Sequence, residues 1–138
     1  MTIPRGFLSF DFDHDAAHKA LFAGQAKTSS PTPFRIQDWS SKAVLPQRQW
    51  EAAIQEKMAH TDMCIVLVGT HMASASGVTK EIAMARRMDI PVFGVYVNGA
   101  GTRSSLPGGL RRNRVIAWRW AAIATAVDQM MKERQRAR

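Results

Sequence analysis

The chain has 138 residues, a single cysteine and a formal net charge of +8. That length suits one domain, 1–138, with a core that needs no disulfide or metal staple. No run of about 18 apolar residues is present to cross a membrane. Met1 to Arg5 lacks the apolar core of a secretion signal, and the lone Cys64 points to a reducing compartment, so a cytoplasmic protein is expected.

In chain order, Gly6 to Phe10 is a short apolar run that ends at Asp11 and reads as a buried first strand. Asp15 to Lys27 is rich in Ala and Leu without proline, as a helix requires. The breaker cluster Thr28 to Pro33 follows, and Phe34 to Asp38 alternates like an edge strand. After a loop over Ser41 to Pro46, Gln47 to His60 places Trp50, Ala53, Ile54 and Met58 on one helical face. Met63 to Val68 is continuously apolar, the pattern of a central strand covered on both sides.

Ser76 to Met88 reads as the next helix and Pro91 to Val97 as the next strand. Asn98 to Asn113 is a long loop with four glycines and one proline. Arg114 to Trp118 is a weaker last strand, and Ala121 to Arg134 a last helix with Ile123, Val127 and Met130 or Met131 inward. The core then spans about 5–130, with a basic tail over 131–138.

Strands alternating with helices require long right-handed crossovers and hence a parallel sheet. Five such units fit a three-layer, flavodoxin-like α/β fold with strand order 2-1-3-4-5. Ligands bind such folds where the chain reverses direction, beyond the carboxyl ends of the first and third strands. Phe10 to His14 and Gly69 to Ser74 flank that crevice, with Asp38 to Ser40 beside them.

Glu81 is the most informative carboxylate. At about 100° per residue, Val78, Ile82, Met84, Ala85 and Met88 form one apolar arc, and Glu81 falls inside it. Lys80, Ala83 and Arg87 take the outer side. A carboxylate on an inward face is costly unless it is paired, protonated or at a wet cleft. A structural ion pair or a favourable helix-dipole position would also account for it, whereas Val78 is a poor cap and argues against a capping box.

Asp11, Asp13, His14 and Asp15 crowd the end of the first strand. Asp13 or Asp15 reads as a helix cap, which leaves Asp11 less easily explained. Paired acids here hold magnesium in many doubly wound domains, but the phospho-acceptor Asp and the Lys that a receiver would need after the third and fourth strands are missing. Asp38 and Trp39 could bind a ribose hydroxyl and stack a base, or Trp39 could cover the sheet edge. His14, His18, His60 and His71 are scattered, with no metal-ligand spacing, so no metal is expected. His71 could contact a ligand or be merely exposed, and Cys64 reads as inert core. The late arginines favour anionic partners, but without an interleaved aromatic platform or motif nucleic acid is not the expected partner.

Phe7-Leu-Ser-Phe-Asp11, Asp38-Trp-Ser40, Cys64-Ile-Val-Leu-Val-Gly69, Lys80-Glu-Ile82 and Ile90-Pro-Val-Phe-Gly-Val95, in that order, resemble the TIR-like domains of bacterial antiphage systems, in particular the small TIR-type proteins of Thoeris. The likeness covers roughly 5–98. It implies an enzyme of the NAD nucleosidase or ADP-ribosyl cyclase type, with NAD as substrate and no further cofactor. Glu81 matches the glutamate that assists cleavage of the nicotinamide–ribose bond. Phe10, Asp11, Asp38, Trp39 and Ser74 would line the nucleotide pocket. The resemblance further implies self-association, a phage-derived trigger and a separate effector activated by an ADP-ribose-derived nucleotide. Where many catalytic members carry tryptophan four residues before the glutamate, this chain has Gly77. The alternative is a non-catalytic TIR-like scaffold that acts by self-association or partner binding.

Overall fold

The computed structural model describes residues 3–37 and 47–137. The elements in order are β1 (Arg5–Ser9), α1 (Ala16–Thr28), β2 (Arg35–Gln37), α2 (Gln47–Ala59), β3 (Met63–Val68), α3 (Ser76–Arg87), β4 (Val92–Tyr96), β5 (Val115–Ile116) and α4 (Trp120–Ala137). Single 3-10 turns occur at Met72–Ser74 and Arg112–Arg114. The strands form one parallel sheet in the expected order, β2-β1-β3-β4-β5.

β3 sits at the centre because its continuous apolar run can be buried on both sides, and all six of its residues are buried. Alternation along the strand sends Cys64, Val66 and Val68 to one face and Met63, Ile65 and Leu67 to the other. The first set packs with Phe7, with Ile54 and Met58 of α2, and with Val78, Ile82 and Ala85 of α3. The second packs with Leu8, with Phe22 and Ala26 of α1, and with Ile123, Val127 and Met130 of α4. These are the three layers read from the sequence. Each fully buried aliphatic side chain contributes about 1.5–3 kcal/mol relative to exposure.

Several boundaries differ from the sequence expectation. β5 is two residues long rather than five, because Trp118 leaves the sheet to join Phe22, with ring centroids 5.6 Å apart. α4 runs on to Ala137, past the expected end at Arg134. Arg134 donates to the carbonyls of Met88 and Asp89, which anchors the last turns of α4 to the end of α3. Asp89, at φ 56°, makes the left-handed turn that stops α3.

The glycine-rich segment 98–113 is pinned to the core. Leu110 is buried against the α2–α3 layer, and a Cβ on Gly94 would lie 3.1 Å from its Cδ2. Gly109 adopts φ +90°, and its carbonyl accepts from Arg86. Among the described residues, no helix is long and apolar enough to cross a membrane.

Candidate functional site

β1 and β3 are parallel neighbours with Ser9 in register with Val66, so the loops that follow them emerge at one edge of the sheet. Glu81 approaches that edge from α3. It is fully buried, although its neighbours Lys80 and Ala83 are exposed. The inward placement read from the helical wheel is therefore what the fold adopts. Ser9 has the parity of Phe7, so it faces the α2–α3 layer, and its hydroxyl donates to Glu81 Oε1 at 2.7 Å. A buried carboxylate without such a donor would be strongly disfavoured.

The space beside Gly77 belongs to α2. A Cβ on Gly77 would meet Trp50 Cζ2 at 3.9 Å. Trp50 is half-buried and packs on the α2–α3 core cluster. An aromatic ring thus lies one helical turn from Glu81, supplied by α2 rather than α3. Sequence periodicity identified Trp50 only as core, because the α2–α3 contact is tertiary.

Asp15 corrects a second expectation. It occupies the N-cap position of α1, but its side chain makes no capping hydrogen bond. The carboxylate is fully buried and turned across the crevice: Asn98 Nδ2 donates to Oδ1 at 3.4 Å. A Cβ on Gly69 would fall 2.2 Å from Oδ2, so any other residue after β3 would force the Asp15 carboxylate out of its place. Asp15 thereby ties the loops after β1, β3 and β4 together. The sequence signal was the glycine directly after the strongest strand.

The five expected pocket residues fall in different places. Asp11 is buried at the rim, with Oδ1 accepting from Asp13 N at 3.1 Å and Oδ2 facing His14 Nδ1 at 2.6 Å. Its carboxylate thus organises its own turn. Phe10 is buried in the α1–α4 cluster, on the opposite side of the sheet from Glu81. Ser74 is exposed at the rim, and its hydroxyl donates to the His71 carbonyl at 3.1 Å. Asp38 and Trp39 lie outside the described residues.

Two of the scattered histidines come together. The rings of His14 and His71 stack with centroids 3.6 Å apart and planes 8° from parallel. Asp11, His14 and His71 each offer a ligand atom, all within 4.8 Å of one another. Spacing in the sequence could not show this, because His71 follows β3 and the other two follow β1.

The late arginines divide between structure and surface. Arg114 forms a bidentate pair with Glu133, both contacts at 2.9 Å, and donates to the Val92 carbonyl. The Arg114 guanidinium holds the Glu133 carboxyl below its ordinary value, outweighing the opposing effect of burial. Arg86, Arg111 and Arg114 line a cleft of about 420 Å³ beside Pro91 and Val92. That cleft lies at the start of β4, the sheet end opposite Glu81 and Asp11.

No curated protein matches the chain. Residues 7–102 match the family described as Thoeris protein ThsB, TIR-like domain. The match spans β1 to the loop after β4 and so takes in Ser9, Asp11, Asp15, Trp50, His71 and Glu81. The chain belongs to this TIR-like family and is a Thoeris-type antiphage TIR protein.

Proposed function

We propose that the protein processes NAD, cleaving the nicotinamide–ribose bond to make an ADP-ribose-derived signalling nucleotide that activates a separate effector. The observation that carries this reading is Glu81, a buried carboxylate at the switch-point crevice, oriented by Ser9. When the glycosidic bond breaks, its electron pair leaves with the pyridinium nitrogen, which becomes neutral nicotinamide. Positive charge then develops on the ribose as an oxocarbenium ion. A fixed carboxylate stabilises that charge or holds the ribose hydroxyls. Water, or a nucleophile within the ADP-ribosyl unit, closes the reaction and gives up its proton. Trp50 offers an aromatic surface on the Gly77 side, and Asp38 and Trp39, which follow β2 in the chain, are the proposed further contacts.

Glu81 has no solvent-exposed surface. Substrate contact therefore requires the wall over it to move, which fits activity that depends on self-association or a phage trigger. The same burial favours a second reading, a non-catalytic scaffold in which Glu81 and Ser9 form a structural pair. Incubation with NAD, alone and with phage-infected lysate, separates the two. Nicotinamide release together with a new nucleotide product supports the enzyme. Its absence under every condition supports the scaffold.

A further inference from the structure

We propose that Asp11, His14 and His71 form a binding site for a divalent transition-metal cation of the zinc class. The parallel pairing of β1 and β3 brings the three residues to one rim, with their ligand atoms within 4.8 Å of one another. Two imidazoles and a carboxylate are a donor set suited to zinc, cobalt or nickel. Magnesium and calcium prefer all-oxygen sets, so they should not compete.

The site is partly assembled already. Asp11 is held by the Asp13 amide at Oδ1, which leaves Oδ2 against His14 Nδ1 at 2.6 Å. In the tautomer whose Nδ1 donates to Thr70 Oγ1, at 3.3 Å, His71 presents Nε2 as its lone pair. The Thr70 hydroxyl then takes the outer position that a carboxylate, a carbonyl or a water usually fills at a metal-binding histidine. The rings are stacked nearly parallel, centroids 3.6 Å apart, so their in-plane lone pairs run side by side and one ring must tilt for both to meet a single cation.

Zinc ligands at about 2.0–2.1 Å sit about 3.3 Å apart in a tetrahedron. The widest pair therefore needs to close by roughly 1.5 Å at most, while Asp11 Oδ2 and His14 Nδ1, at 2.6 Å, need to part, and both histidines are exposed enough to make that adjustment. Three protein ligands leave a fourth position open.

The test uses untagged full-length protein titrated with Co²⁺, followed by visible absorption, and with Zn²⁺ by calorimetry. One equivalent is expected to bind with a tetrahedral or five-coordinate cobalt spectrum, unaffected by excess Mg²⁺. His14→Ala and His71→Ala should each weaken binding by about tenfold or more, while His60→Ala, at the opposite end of β3, should leave it unchanged. Circular dichroism checks that each variant is folded. Absence of binding, or equal binding by the His14→Ala/His71→Ala double variant, would overturn the proposal. Metal uptake is read directly, so its failure is separate from any failure of NAD cleavage.

Discussion

Ser9 and Glu81, 72 positions apart in the chain, meet in a 2.7 Å hydrogen bond between β1 and α3 at the edge where the crevice opens. Both are fully buried. The bond couples the fold to the proposed chemistry, because it fixes one carboxylate oxygen within an otherwise apolar layer. Ser9→Ala removes this donor and leaves the carboxyl group buried. It should lower stability by about 1–3 kcal/mol, read as a shift in the denaturant midpoint. In a double-mutant cycle with Glu81→Ala, which removes the acceptor, the two losses should not add. Additive losses would mean that the pair is energetically idle.

Gly77 and Trp50 give a second expectation. The Cβ contact of 3.9 Å is ordinary van der Waals distance. Gly77→Ala should therefore be accepted and stabilise α3 by up to ~1 kcal/mol through reduced chain entropy. Gly77→Trp should destabilise, since its ring would compete with Trp50 for the same space. Thermal melts of both variants check this, and a stabilised Gly77→Trp would disprove the assignment of that space to Trp50.

Gly69 has no such room. A methyl group there would collide with the Asp15 carboxylate, so Gly69→Ala should cost about 1–3 kcal/mol. The cost should shrink in an Asp15→Ala background, where the colliding atoms are gone. An undiminished cost in that background would place the strain elsewhere.

The Arg114–Glu133 pair should impose a pH dependence. The Glu133 pKa is lowered in the folded state, so the pair stabilises fully above the ordinary carboxylate value near 4.5 and loses that contribution as pH falls through the depressed value. Both side chains are partly exposed, so the contribution is modest. Glu133→Gln should lower stability by about 0.5–1 kcal/mol at neutral pH. The difference from wild type should shrink as pH falls below that ordinary value. Paired denaturant curves across that range measure it, and a constant difference would exclude the ion pair as its cause.

Much of this architecture was legible in the sequence because burial leaves a pattern. The unbroken apolar run of Met63 to Val68 marked the central strand, and Glu81 stood out as a charge on an apolar arc. The failures have a common cause in tertiary contacts. Trp118 reads as strand by hydrophobicity but packs on Phe22. The charged end of the chain reads as a solvated tail, yet Arg134 finds the Met88 and Asp89 carbonyls just past α3. Asp15 satisfies the local rule for a cap, but the empty space at Gly69 draws its carboxylate away. His14 and His71 are brought together only by strand pairing.

Glu81 is the centre of the functional account, and nicotinamide release tests it most directly. Glu81→Gln keeps an acceptor for the Ser9 hydroxyl and nearly the same shape, so the variant should fold like the wild type. The assay follows NAD consumption and nucleotide products for both proteins, with and without phage-infected lysate. The wild type should release nicotinamide under the triggering condition, and Glu81→Gln should be slower by about 100-fold or more. Equal turnover by a folded Glu81→Gln variant would contradict the assignment of Glu81. No turnover by the wild type under any condition would contradict the enzymatic reading itself.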